Sequence, residues 1–313
     1  MNAHAPALNL ASDLLTGTEW NPSQVRELFR LATDVKAHPE RYKNALAGRF
    51  LAMVFEKPSL RTRVTFEVGI VSMGGSAILM DHANARLGER ELIADVARSL
   101  SRWVHGIVAR VYEQEGLDTL AAYASVPVIN ALSDVYHPCQ TFADFFTLEE
   151  KFGSAAGLKV AYIGDGNNVC HSLMVAGARV GAHLRIATPA GYEPDPKIVE
   201  AARRDAAATQ GTIELFRSPE EAVTGVQAVY TDVWASMGQE SETEKRAAIF
   251  AAYQVNGALM SVAAPDAVFL HCLPAHRGSE VTDEVMESPR SIVFDEAENR
   301  LHVQKAILLM LLN

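Results

Sequence analysis

Lys57-Pro58-Ser59-Leu60-Arg61-Thr62-Arg63 puts two hydroxyls and two guanidiniums where strand character gives way to helical character. The run before it, residues 49–55, is almost wholly apolar and predicts a buried strand. After it, Val64, Val68 and Val71 recur at a spacing that predicts a helix with those three on one face. The first turn of a helix offers backbone N–H groups without helical partners and the positive end of the dipole. Such an end suits a phosphate or a carboxylate. The same string also serves as an ordinary cap, with Ser59 as N-cap and the arginines solvated. By itself it does not choose between the two.

Other groups able to do chemistry fall at the ends of strand-like runs. Arg110 ends the run 107–109, and His137-Pro138-Cys139-Gln140 follows the run 126–131. Asp232 ends the run 229–231, and His271-Cys272-Leu273-Pro274 ends the run 268–270. Asp295 and the cluster Glu298-Asn299-Arg300 follow Ile292-Val293-Phe294. Any one has a plain structural account, since His-Pro marks turns and a strand-end Cys is usually just buried. Together they match a rule for open α/β sheets, which bind ligands beyond the carboxyl ends of their strands.

The elements that must position these groups alternate along the chain. Strands are predicted at 49–55, 76–80, 106–111 and 126–131, then at 159–164, 183–188, 212–216, 228–233 and 268–272, with a last short one at 291–294. Many are apolar on both faces, as parallel strands covered by helices are. Amphipathic segments such as 92–103 and 141–152 fill the gaps. The pattern predicts an α/β protein of two domains, each with a parallel sheet. The helix 141–152, ending at Gly153, marks the boundary, giving domains 1–150 and 151–295. The final helix, about 301–312, is not placed on either by its position.

Composition removes several classes of function. A chain of 313 residues with 49% apolar side chains can build two cores. A net charge of −10 argues against a general nucleic-acid binder, so any anion site is a local cluster of arginines. Three cysteines without paired spacing fit a reducing cytoplasm. The N-terminal residues lack the basic and apolar regions of a secretion signal, and the apolar run 306–312 is too short to span a bilayer. A soluble, cytoplasmic protein is expected, with no membrane and no nucleic-acid partner.

Gly164-Asp165-Gly166-Asn167-Asn168 resembles half of a dinucleotide fingerprint, which would make the chain an oxidoreductase. Val169 stands where the third Gly belongs, and the strand 184–188 ends without an acidic residue. A tight turn that brings Asn168 to the mouth of a cleft fits better. His137 with Cys139, and His271 with Cys272, lack the spacing of zinc motifs. Neither a P-loop nor a G-x-S-x-G is present. No metal and no cofactor is expected. Phosphate-binding parts without nucleotide-binding parts suggest a small phosphorylated donor.

Read in order, these strings resemble the aspartate/ornithine transcarbamoylase family, and most of all its ornithine-using members. The matching strings are Phe55 to Arg63, His137 to Gln140, Gly164 to Asn168, Asp232 to Gly238, His271 to Gly278 and Asp295 to Arg300. The resemblance implies two doubly wound parallel-sheet domains joined by interdomain helices. The first would bind carbamoyl phosphate and the second ornithine, with the last helix, 296–313, packing back on the first. It implies a homotrimer, or a multiple of trimers, with active sites at subunit interfaces. The implied reaction is carbamoyl transfer to the δ-amine of L-ornithine, giving L-citrulline and phosphate, in arginine biosynthesis or catabolism.

Site residues are implied one by one. Ser59, the Leu60 backbone N–H, Arg61 and Thr62 would hold the phosphate. Arg110 would bridge phosphate and carbamoyl oxygen, and His137 would donate to that oxygen. Gln140, the carbonyls near Cys272 and Leu273, and Arg300 would orient the carbamoyl group. Asn168 and the Met237 backbone would take ornithine's α-carboxylate, Asp232 and Ser236 its α-amino group, and Cys272 would sit near the δ-amine.

Two positions depart from the family pattern. Leu60 replaces the usual Thr, keeping the backbone N–H and losing a hydroxyl. Some relatives that carbamoylate N-acylated ornithine also carry an apolar residue there. Ser236-Met237-Gly238 and the string from Cys272 to Gly278 look like the free-ornithine type, and a putrescine enzyme would not need the former. Arg86 replaces the usual Gln, in a loop that in the family reaches the neighbouring subunit. Either it is a solvated loop Arg or it adds a phosphate-binding charge across the trimer. A non-catalytic carbamoyl-phosphate-binding paralogue would not need Arg61, Arg110, His137, Cys272 and Arg300 together.

Overall fold

A computed structural model describes residues 13–81, 86–235 and 243–313. Contacts divide the chain into two compact units, one of residues 1–139 with 301–313 and the other of residues 140–300. The first contains α1 (Pro22–Ala37), β1 (Phe50–Phe55), α2 (Arg61–Ser72), β2 (Ser76–Asp81), α3 (Ile93–Leu100), β3 (Gly106–Arg110), α4 (Gln114–Tyr123) and β4 (Val128–Leu132). Helix α5 (Pro138–Phe152) carries the chain into the second unit. There follow β5 (Lys159–Ile163), α6 (Asn168–Val180), β6 (His183–Ala187), α7 (Pro196–Ala208), β7 (Thr212–Phe216), α8 (Pro219–Val223) and β8 (Ala228–Thr231). The unit ends with α9 (Thr243–Phe250), α10 (Gly257–Ser261), β9 (Val268–His271) and α11 (Asp283–Met286). Helix α12 (Val293–Leu312) returns the chain to the first unit.

Both sheets are parallel throughout. The first runs β2-β1-β3-β4 and the second β7-β6-β5-β8-β9. In each, successive connections go to one side of the first strand and then cross to the other. The strand order therefore reverses between β1 and β3 in one sheet and between β5 and β8 in the other. Those are the switch points where open α/β sheets leave a crevice at their carboxyl ends.

The predicted strands recur with shifts of one or two residues, because their apolar runs are buried by the helices around them. Ala52, Val54, Ile107, Ala109 and Val128 share a core with Leu117 and Leu120 of α4. Ala161, Ile163, Val229 and Phe269 share another with Phe250, Tyr253 and Val285. The valines of α2 face outward: Val64, Val68 and Val71 are 46, 46 and 57% exposed, while Phe66 and Ile70 are buried.

One predicted strand does not form. Within 291–294, Ser291 makes a single bridge to Phe269, and α12 begins at Val293. The apolar triplet is followed by Asp295 and Glu296, which suit the positive end of a helix. Helix α12 therefore starts eight residues before the predicted 301. Its end packs within the first unit, where a Cβ on Gly69 would lie 3.3 Å from Lys305 Cγ and one on Gly106 would lie 2.7 Å from Leu312. The contact division falls at the start of α5, whereas the sequence boundary falls at its end. Phe145 of α5 lies against Gly177 of α6, which ties that helix to the second unit. Among the described residues, no helix is long and apolar enough to cross a membrane.

Candidate active site

In the first unit the candidate residues gather beyond the β1/β3 switch point. Phe55 and Arg110 are register partners, so the chain segments leaving these strands start side by side. Helix α2 begins at Arg61, with Leu60, not Ser59, at the N-cap position. A leucine side chain has no hydrogen bond to offer, and no side chain caps the helix. Leu60 is 73% exposed, while Thr62 is buried in the first turn. Arg110 is buried at the end of β3. His137 is buried immediately before α5.

Cations concentrate around this point. The Lys57 ammonium lies 4.6 Å from the centre of the Tyr112 ring, and the Arg86 guanidinium 4.2 Å from it. Arg86 also lies 3.6 Å from Glu113. Burial lowers the Lys57 pKa first, and the charge of Arg110 lowers it further. A buried amine beside a guanidinium favours a bound anion, which would relieve both effects. Glu56 holds the frame: its carboxylate accepts from Leu87 N at 2.5 Å and from Tyr112 N at 2.8 Å. Glu56 lies within the string Phe55 to Arg63, but this role is not legible there, because its partners lie 31 and 56 positions away.

In the second unit the residues gather beyond the β5/β8 switch point and the end of β9. Gly164 has φ 145°, a conformation that side chains disfavour. A Cβ on Gly166 would lie 2.2 Å from Pro194 N, so the turn admits only glycine there. The turn ends in Asn167, whose side chain accepts from Val169 N and Cys170 N and so caps α6. Its amide donates to Asp232 at 2.7 Å. Asn168 is the first residue of α6, partly exposed, beside this contact. Asp165 is buried and bonded to Arg246 at 2.8 Å. Burial pushes its carboxyl up against the opposing pull of Arg246. Ser236, Met237 and Gly238 lie outside the described residues.

Asp232 also accepts from the Cys272 thiol at 3.0 Å. Burial, and then the Asp232 charge, push that thiol well above its ordinary pKa, so it is neutral at physiological pH. The backbone next to it turns sharply, with Leu273 at φ 58°. His271 holds the turn: its Nδ1 accepts from Leu273 N at 2.9 Å, which leaves Nε2–H to donate to Glu280 at 3.2 Å. Atoms of Asp232, His271 and Cys272 that can bind metals lie within 4.8 Å of one another. Both His271 nitrogens are already committed, and the thiol keeps its proton.

Gln140, Arg300 and two residues absent from the sequence-based set, Asp144 and Glu296, form a buried polar group in this unit. Gln140 Nε2 donates to Asp144 at 2.8 Å and to Glu296 at 2.7 Å, and its Oε1 accepts from Arg300. The structure thus brings Ser59, Leu60, Arg61, Thr62, Arg110 and His137 to one unit. It brings Gln140, Asn168, Asp232, Cys272, Leu273 and Arg300 to the other.

Comparison with known proteins gives the family of the chain. The family model for the carbamoyl-P binding domain of aspartate/ornithine carbamoyltransferases matches residues 12–150. The model for the Asp/Orn binding domain matches residues 156–311. The ornithine carbamoyltransferase of Thermococcus kodakarensis is 55% identical over 85% of each chain, and that of Pyrococcus abyssi 52% over 96% of this chain and 95% of its own. The solved ornithine carbamoyltransferase of Pyrococcus furiosus superposes with a TM-score of 0.94 at 49% identity, covering 97% of this chain and 98% of that one. A solved N-acetyl-L-ornithine transcarbamylase superposes at 0.86 with 31% identity, over 96% of this chain and 99% of its own.

Proposed function

Because this chain belongs to the aspartate/ornithine carbamoyltransferase family, we propose that its first unit holds carbamoyl phosphate and its second holds L-ornithine. The reaction transfers the carbamoyl group of carbamoyl phosphate to the δ-amine of L-ornithine, giving L-citrulline and phosphate. The observation that supports the residue assignment is that Arg110 and Asp232 stand beside the two switch points, at the carboxyl ends of β3 and β8.

Ser59, the Leu60 N–H, Arg61 and Thr62 bind the phosphate at the start of α2, and Arg110 spans phosphate and carbamoyl oxygen. Charge-assisted bonds from guanidinium are strong, so two arginines make an effective clamp. His137 and Arg110 donate to the carbamoyl oxygen, which gains negative charge as the amine attacks. Gln140, the carbonyls at Cys272 and Leu273, and Arg300 orient the carbamoyl group. Asn168 and the Met237 backbone take the α-carboxylate of ornithine, and Asp232 with Ser236 takes its α-amino group.

The δ-amine attacks in its neutral form. Near pH 7.5 its deprotonation costs about 4 kcal/mol. Desolvation beside the neutral Cys272 thiol reduces that cost. A protonated thiol is no base, so the proton passes to the departing phosphate dianion. The C–N bond forms, the C–O bond to phosphate breaks, and the charge leaves with the phosphate.

The chain works as a homotrimer or a multiple of trimers in the cytoplasm, in arginine metabolism. The outward valines of α2 are the kind of surface that a second copy covers. In such an assembly Arg86 reaches the phosphate of a neighbouring subunit. Citrulline formation with ornithine, N-acetylornithine and putrescine offered in parallel tests the reading. Turnover with ornithine alone is expected. Preference for either other amine, or binding of a phosphonate analogue without any turnover, overturns it.

A further inference from the structure

Gln140 and Asp144 stand one turn apart on α5, and Glu296 and Arg300 stand one turn apart on α12. All four are buried, at 2% exposure or less. They interlock through a single amide. A glutamine amide has two donors on nitrogen and one acceptor oxygen, and it can point either way in its slot. Here both donors are taken by carboxyl oxygens, Asp144 Oδ1 at 2.8 Å and Glu296 Oε1 at 2.7 Å. The oxygen faces the Arg300 guanidinium, a donor only. Acceptors on one side and a donor on the other leave one orientation.

We propose that Asp144 and Glu296 are a positioning pair that fixes the Gln140 amide with its oxygen toward Arg300. This rests on the reading that Gln140 orients the carbamoyl group. The carbamoyl NH2 is a donor and needs the amide oxygen. A reversed amide would set its own N–H groups against Arg300 and against the substrate.

Glu296 has a second tie. Its Oε2 accepts from His271 N at 3.1 Å. Through this bond the pair reaches the backbone N–H of His271, the residue before Cys272. The groups that feel the pair come from every element around it: Arg300 on α12, Tyr230 on β8, and His271 and Cys272 at the end of β9. Burial is the largest cause that raises both carboxyls, Asp144 to about 7 and Glu296 well above the ordinary carboxylate range, and the charge of Asp144 adds to the shift on Glu296.

The test uses the full-length enzyme with saturating ornithine. In Glu296→Gln a new amide must face its own N–H toward either Gln140 or His271, both donors. It is expected to lower kcat by about tenfold or more, the size of one lost charge-assisted bond, with the KM for carbamoyl phosphate within about threefold. Asp144→Ala removes one of the two acceptors and is expected to lower kcat by a similar factor, and Asp144→Asn, which keeps an acceptor oxygen, to recover part of that loss. A purely structural role would lower stability without this split between kcat and KM. If Gln140→Ala is impaired while Glu296→Gln and Asp144→Ala keep wild-type kcat, the pair does not position the amide. If Gln140→Ala itself keeps full kcat, the reading of Gln140 fails instead. Should Glu296→Gln not fold, the kcat of Asp144→Ala against that of Asp144→Asn decides.

Discussion

The Cys272 thiol donates to the Asp232 carboxylate across 3.0 Å, while Asn167 donates to the other oxygen of that carboxylate at 2.7 Å. A cysteine at the end of a strand invites a nucleophile's role, but this geometry stabilises the thiol. Deprotonating it would set a thiolate against a carboxylate.

Burial and Asp232 raise the Cys272 pKa, so thiolate is scarce at neutral pH. Iodoacetamide should therefore label Cys272 slowly at about pH 7.5, with a rate still rising beyond about pH 9. Because the Asp232 charge raises the thiol pKa, Asp232→Asn should shift the onset of labelling to lower pH. Peptide mapping separates this site from the buried Cys139 and Cys170. A labelling rate that levels off below pH 8 would contradict the neutral thiol.

Asp232 is assigned to the acceptor. Asp232→Asn should raise the KM for ornithine by about tenfold or more and leave that for carbamoyl phosphate within about threefold. Steady-state kinetics with each substrate varied in turn gives the answer. The reverse pattern would move Asp232 to the donor.

Arg86 lies on the Tyr112 ring and near Glu113 of its own chain. A phosphate-binding role across the trimer predicts that Arg86→Gln raises the KM for carbamoyl phosphate by about fivefold, more at low salt than at high. An unchanged KM would leave Arg86 as a side chain packed on Tyr112.

The buried Asp165–Arg246 pair should matter for stability. Arg246→Met leaves a buried carboxyl without its cation and should cost about 3 kcal/mol in urea unfolding at pH 8. The Asp165 carboxyl is already raised in the folded state. A raised carboxyl loses stability as pH climbs from its unfolded value, about 4, through its folded value. Removing Arg246 raises it further, so the variant should lose less at pH 5 than at pH 8. Adding Asp165→Asn should flatten that difference. Equal losses at both pH values would rule out this account.

Much of the fold is legible in local sequence. Runs such as 159–163 and 268–271 are short and largely apolar on both faces, as covered parallel strands are. The candidate site follows from them, because Arg110, Asp232 and Cys272 stand where the runs stop. At the last run the local signal misleads. Ile292-Val293-Phe294 reads as strand by residue type, yet the helix α12 takes Val293 and Phe294 because Asp295 and Glu296 favour its first turn. Helical spacing likewise groups Val64, Val68 and Val71 on one face without revealing that this face points outward.

The sequence by itself determined which residues stand at strand ends, because apolar runs and turn residues act over a few neighbours. The tertiary structure alone decided what holds those residues in place. Glu296 meets Gln140 across 156 positions, Arg246 meets Asp165 across 81, and Glu56 meets Tyr112 across 56. Nothing in the residues beside each one names its partner. Burial turns each side chain into an obligatory hydrogen-bonding partner, and burial is set by how distant segments pack.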